Sequence, residues 1–145
     1  MKSVPQGGGW AGPAGHEKGK IRGLRWYIIG MICMLTVINY IDRMTLSVLA
    51  PTIREELGMS NASYSRVVTT FLLGYTISQA LSGKVLDRIG TRVGFMFFVG
   101  IWTIASMLHS TVRSVGQLSA FRFVLGVGEA GNWPGAAKAV AEWFP

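Results

Sequence analysis

The amino-acid sequence predicts an all-α membrane protein with four transmembrane helices, and three observations carry that prediction. Half of the 145 residues are hydrophobic and only 14% are charged, where a soluble domain carries about 25% charged residues. The apolar residues fall into blocks, and roughly 20 of them in succession suffice for a helix to cross the hydrocarbon core. Most of the basic residues behind the formal charge of +7 lie between the blocks, as membrane topology demands. A nucleic-acid footprint would instead gather them on one face of a folded domain. Nucleic acid is therefore not an expected partner, whereas membrane lipid is.

The elements follow in order. Residues 1–23 are polar and rich in Gly and Pro, with Gly7-Gly8-Gly9, Gly12-Pro13 and the basic Lys18, Lys20 and Arg22. Such a composition cannot bury a core, and it predicts a disordered, basic cytoplasmic tail. Helix 1 is predicted over about 24–50, with Pro51 as its stop. A polar loop over 51–62 carries Arg54, Glu55 and Glu56. Helix 2 is predicted over about 62–86, and a tight turn over 87–92 leads to helix 3, about 93–108. A short loop over 109–116 precedes helix 4, about 117–144.

Basic residues set the orientation. Lys2, Lys18, Lys20, Arg22 and Arg25 precede or open helix 1, and Lys84, Arg88 and Arg92 flank the turn between helices 2 and 3. The two remaining loops hold only Arg54 and Arg113. The positive-inside rule then places the N-terminus in the cytoplasm. The single cysteine, Cys33, has no partner for a disulfide or a metal site and reads as packing. No cofactor is expected. The apolar run after Arg25 lacks a small-residue cleavage site and is followed by further spans, so it is not read as a signal peptide.

Four charges fall deep inside the predicted spans, away from their ends: Asp42 and Arg43 in helix 1, Arg122 and Glu129 in helix 4. Each would cost about 3 kcal/mol against lipid, roughly 12 kcal/mol together. They must face a water-filled cavity or one another. At ~1.5 Å per residue, Asp42, Arg43 and Arg122 lie roughly 10 Å below the outer helix ends, with Glu129 about 10 Å deeper. Arg122 and Glu129, seven residues apart, share a helix face, as do Asn39 and Arg43. One reading is a salt-bridge network that only orients helices. The other is chemical: arginines bind a carboxylate through both oxygens and stay charged, while acids in a low-dielectric cavity can carry protons. On helix 2, Tyr75 and Gln79 share a face and are candidate substrate contacts, with packing as the alternative for Tyr75. Gly74, Ser78 and Ser82 form a small-residue ridge for close helix packing. Arg66 is placed near the outer interface.

Gly126-Val-Gly128-Glu-Ala-Gly131 matches the dinucleotide fingerprint G-x-G-x-x-G. That motif needs a preceding strand, and this copy lies in an apolar helix, so its glycines are assigned to helix packing. Pro134 is expected to break or kink helix 4 one turn past Glu129. Asn61-Ala-Ser63 is a glycosylation sequon that chance explains.

The turn Gly83-Lys-Val-Leu-Asp87-Arg88-Ile-Gly90-Thr-Arg92 is more specific. It resembles the G-x-L-a-D-r-x-G-r-r loop of the major facilitator superfamily, with Val85 and Thr91 departing from the usual residues. Asn39-Tyr40-Ile-Asp42-Arg43 and the run from Arg122 to Pro134 resemble the anion:cation symporter branch. Leu24-Arg25-Trp26-Tyr27 and Glu142-Trp143-Phe144-Pro145 resemble bacterial hexuronate and sugar-acid transporters. The resemblance implies a twelve-helix, two-lobed transporter of the inner membrane, not an enzyme. Its members symport protons with organic anions by alternating access. It implies that Asp42 and Glu129 are the proton-coupling acids and that Arg43 and Arg122 bind the anion or gate it. Tyr75 becomes a substrate contact, and Gly83, Asp87, Arg88, Gly90 and Arg92 a cytoplasmic gate. It also implies that the chain holds the first four helices of a six-helix N-terminal lobe, lacks helices 5–12, and is inactive alone. Two rival readings are an organophosphate or aromatic-carboxylate transporter of the same fold and a non-transporting membrane scaffold.

Overall fold

The computed structural model describes residues 23–143. The predicted tail, apart from Gly23, and the final Phe144-Pro145 lie outside the described residues. Within them the chain forms α1 (Leu24–Glu56), α2 (Asn61–Ile89), α3 (Thr91–Leu108), a 3-10 turn (His109–Thr111), α4 (Val115–Glu129) and α5 (Asn132–Trp143). No strand occurs among the described residues. Two stretches, Leu24–Glu56 and Thr91–Thr111, are long and apolar enough to cross a membrane.

The polarity of the fold is inside out. Val48 is 73% exposed, Met107 70% and Met34 67%, whereas Glu129 is 1% exposed and Arg122 7%. A monomer in water would not show so large an apolar surface. The distribution matches a lipid solvent, where apolar side chains face outward and ionisable groups turn inward.

Helix 1 does not stop at Pro51. A proline removes one i→i−4 hydrogen bond and crowds the preceding turn, but the residues after it retain their own donors, and α1 continues to Glu56. The true stop is Gly58, at φ +57°. Its N–H donates to the Glu55 carbonyl at 3.3 Å, and Met59 N–H donates to the Arg54 carbonyl at 2.8 Å. These two bonds close a Schellman motif. Met59 then packs with Val67 and Leu118, joined by Ile53 and Leu57, as an apolar cluster at this end of the helices. The predicted loop over 51–62 therefore shrinks to Leu57–Ser60. Ser60 caps α2 by accepting from Ser63 N–H at 3.2 Å, and Arg54 donates to Asn61 across the connection.

The turn between helices 2 and 3 is also shorter than predicted. α2 runs to Ile89 and α3 begins at Thr91, leaving Gly90 alone at φ +83°, ψ +153°. Gly83, the first residue of the turn motif, lies inside α2 with no atom near the position of an added Cβ. The two glycines should thus respond oppositely to alanine. Gly90→Ala is expected to cost about 1–3 kcal/mol, because that backbone region is open essentially only to glycine. Gly83→Ala should gain about 0.5–1 kcal/mol through helix propensity. Thermal midpoints of the detergent-purified variants check both signs.

Predicted helix 4 is two helices. α4 ends at Glu129, and α5 begins at Asn132. Pro134 is not the break itself. It occupies the first turn of α5, where its missing N–H costs nothing, and its ring would clash with the carbonyl of residue 130, so the helix parts at Ala130-Gly131. Ser114 caps the start of α4 by accepting from Gln117 N–H at 3.3 Å, and Gln117 Oε1 accepts from Arg113 N–H at 3.0 Å. This reciprocal arrangement is close to a capping box.

Glycines let α4 and α5 lie against their neighbours. A Cβ on Gly126 would overlap the Phe71 carbonyl of α2 and reach the Tyr75 nitrogen at 2.9 Å. On the other side Gly128, Gly131 and Gly135 each make room for one aromatic residue of α3: Trp102, Phe98 and Phe95. The G-x-G-x-x-G run is thus a helix-crossing surface among the described residues. Gly74 of the helix 2 ridge faces the Phe123 carbonyl of α4, and Ser82 is fully buried. α4 is therefore the central element between α2 and α3, while α1 lies closest to α5. Cys33, expected as packing, is exposed on α1.

Candidate functional site

The inward charges meet where α1, α2, α3 and α4 converge. Arg43 Nε donates to Glu129 Oε2 at 2.8 Å, and the Glu129 side chain is wholly buried while that of Arg43 is 31% exposed. The guanidinium carbon of Arg43 lies 4.4 Å from the centre of the Tyr75 ring and 5.6 Å from that of Phe71. The two rings stack at 6.1 Å. A partly exposed cation over aromatic faces gains about 1 kcal/mol. Asp42 Oδ2 accepts from Trp102 Nε1–H at 2.6 Å.

The level of the pair differs from expectation for a physical reason. Because α1 extends to Glu56, Arg43 lies thirteen residues from its C-terminal end, and Glu129 lies fourteen from the start of α4. Both are then about 20 Å down their helices. Arg122, only seven residues along α4, sits a level above. The expected grouping of Arg122 with Arg43 gives way to one of Glu129 with Arg43.

Several buried polar atoms on the helix faces that carry this pair have no protein partner among the described residues. They are Arg43 Nη2, Arg122 Nε, Asn39 Nδ2 and one oxygen of Glu129. Asn39 is 2% exposed. Buried unpaired groups cost about 1–3 kcal/mol each, so such a concentration calls for an explanation. Three of the four are N–H donors, the complement of an anion's oxygens. Gln79 does not join them. Its side chain is exposed, and only its backbone carbonyl is engaged, by Ser82 Oγ at 2.9 Å. Arg66 is exposed near the N-terminal end of α2 and donates to Ser63 Oγ at 3.1 Å.

At the opposite end, the turn motif meets α5. Lys138 Nζ donates to Asp87 Oδ1 at 2.8 Å and to the Leu86 carbonyl at 3.0 Å. Thr91 Oγ1 donates to Glu142. The partner of Asp87 is thus a lysine of α5. The Asp87 side chain is 72% exposed, and such a pair contributes about 0–1 kcal/mol. It serves better as a detachable latch than as a source of stability. Arg88, Gly90 and Arg92 are exposed beside it.

Sequence reasoning missed Trp102, Phe71, Lys138 and Asn132, whose Nδ2 donates to Thr36 Oγ1 at 3.4 Å. A signal existed for Trp102, since an indole N–H inside an apolar helix must find an acceptor. Nothing in the pattern of helix 2 distinguished Phe71 from its apolar neighbours.

A helical fold with a charged, partly unsatisfied centre and an apolar exterior is the pattern of an integral membrane protein, and the chain belongs to the Major Facilitator Superfamily, whose family model matches residues 32–145. Among curated proteins it is 38% identical over 126 residues to the "Hexuronate transporter" of Escherichia coli, covering 87% of this chain and 29% of that protein. It is 39% identical over 126 residues to the "Galacturonate transporter" of Dickeya chrysanthemi, covering 87% of this chain and 36% of that protein. A third relative is the "Probable galactarate/D-glucarate transporter" of Bacillus subtilis, 32% identical over 133 residues, covering 88% of this chain and 29% of that protein. The chain thus spans only about a third of the length of these relatives.

Proposed function

We propose that these residues form the anion-binding and proton-coupling wall of a sugar-acid transporter that works by alternating access. The observation that supports it is the buried Arg43–Glu129 pair, with donors on Arg43, Arg122 and Asn39 along the same helix faces that have no protein acceptor. A substrate carboxylate would satisfy the free donor of Arg43, whose fork suits both its oxygens. Binding there competes with Glu129 for Arg43. Glu129, displaced and buried, is then most stable as the neutral acid, so anion and proton load together. Asp42, one residue from Arg43, is the second proton carrier. Tyr75 shapes the aromatic side of the pocket. Gln79, exposed on α2, belongs to the wider cavity surface.

The architecture proposed is four membrane-spanning helices, α1, α2, α3 and the broken pair α4–α5, as part of a six-helix lobe in a bacterial inner membrane. The N-terminus is cytoplasmic, which puts Asp87, Arg88, Arg92 and the Lys138 latch at a cytoplasmic gate. One wall does not complete a cavity, so the 145-residue chain by itself is expected not to accumulate substrate. A scaffold has no use for buried charges with unmet hydrogen bonds, and that disfavours the non-transporting reading.

The test is uptake in proteoliposomes containing the product of the complete open reading frame that carries this sequence. An inward proton gradient is expected to drive saturable accumulation of D-glucuronate, with galacturonate competing and an organophosphate or aromatic carboxylate competing at least ~10-fold less well, the loss expected when a fitted polar site leaves its groups unpaired. Preference for the organophosphate, or no glucuronate uptake, would sink the sugar-acid assignment.

A further inference from the structure

We infer that Trp102 is a positioning residue for Asp42, its indole N–H holding the carboxylate of α1 and tying it to α3 and α4. The inference rests on the proposed reading of Asp42 as a coupling acid. Trp102 is 5% exposed, and a buried indole N–H needs an acceptor. Asp42 Oδ2 supplies it at 2.6 Å.

The indole has little freedom to withdraw. A Cβ at position 128 would come within 2.5 Å of the Trp102 backbone nitrogen and 2.7 Å of its Cα, so α3 rests on the bare backbone of Gly128. Gly128 directly precedes Glu129, which binds Arg43, and Arg43 directly follows Asp42. Both acids are thereby members of one closed circuit of contacts, with Trp102 as its link through α3.

The circuit matters because α1 otherwise approaches α2, α3 and α4 lightly. Among the described residues its cross-links to the other helices include Trp102 to Asp42, Arg43 to Glu129 and Asn132 to Thr36, besides Arg54 to Asn61 at the connection to α2. A hydrogen bond to a carboxylate is roughly twice as strong as one to a neutral group. Proton arrival at Asp42 therefore weakens the hold of Trp102 and frees α1 at the level where Arg43 meets substrate. Phenylalanine would fill much of the same space but could not respond to that proton.

Two replacements in the complete open reading frame test this. Trp102→Phe removes the donor, and β-(3-benzothienyl)alanine at position 102 removes it while keeping the bicyclic shape and hence the packing on Gly128. Proton-driven D-glucuronate accumulation is expected to fall at least about ten-fold in both, as loss of a hydrogen bond to a charged group implies. Glucuronate counterflow, which needs no net proton movement, should stay within about two-fold in the shape-conserving variant. Unchanged accumulation in both variants overturns the inference. So does an equal fall of accumulation and counterflow in the shape-conserving variant, which would mark Trp102 as packing alone. Asp42→Asn, measured alongside, must lose accumulation; if it does not, the coupling role of Asp42 fails rather than the role of Trp102.

Discussion

Glu129→Gln is expected to abolish concentrative uptake by at least about 100-fold while leaving substrate counterflow measurable, since only the proton-carrying step loses its group. Glutamine keeps the size of the side chain and can still accept from Arg43, so the helix crossing survives. What it lacks is the charge that balances the guanidinium and the site at which a proton can load. Removing one member of a buried pair costs on the order of 3–5 kcal/mol. The figure is smaller here because Arg43 is 31% exposed and its cation also rests against Tyr75. Arg43→Ala is the complementary case. It leaves a wholly buried carboxylate unpaired and should reduce counterflow as well as accumulation. Accumulation and counterflow, assayed side by side for both variants, separate the two outcomes. Equal loss of both activities in Glu129→Gln would argue that Glu129 only holds Arg43 in place.

The second large effect is steric. Gly126→Val is expected to eliminate most of the folded protein, because its new side chain meets main chain and not a movable side chain. The first added carbon already overlaps the Phe71 carbonyl and comes within 2.9 Å of the Tyr75 nitrogen. Overpacking of this kind costs about 1–3 kcal/mol and more where backbone must move. Separating α2 from α4 would also pull Tyr75 away from Arg43, so any surviving protein should bind substrate poorly. Gly100→Ala is the matched control. No atom lies within 4 Å of its added Cβ, and the variant should keep its thermal midpoint or raise it slightly. Monodisperse yield and midpoint in detergent distinguish the two. A folded Gly126→Val protein with parental stability would mean that α2 and α4 are not in the register described.

Much of the site was legible along the chain because the membrane makes charges conspicuous. Asp42, Arg43, Arg122 and Glu129 stand out in apolar runs whatever their partners, since each is too costly to leave against lipid. The turn motif was legible because a helix reversal in so few residues needs glycine in a restricted conformation, as Gly90 shows. Helix ends were less so. Pro51 and Pro134 punctuate the sequence strongly, yet one lies inside α1 and the other inside the first turn of α5. The stop that mattered was Gly58, followed by an apolar residue that could complete the cap.

By itself, then, the sequence determined an apolar helical protein with buried ionic chemistry, because hydropathy and the cost of charge in lipid act residue by residue. Tertiary structure alone decided which charges meet. The six residues that α1 adds beyond Ala50 correct the level assigned to Arg43 and align it with Glu129, not Arg122. The glycines of α4 and α5 bring α3 close enough for Trp102 to reach Asp42, and the same approach sets Lys138 of α5 beside Asp87. Those pairings join residues 51 to 86 positions apart. Such distances along the chain are bridged by helix crossings, and crossings depend on the shapes of two surfaces together, which no local pattern records.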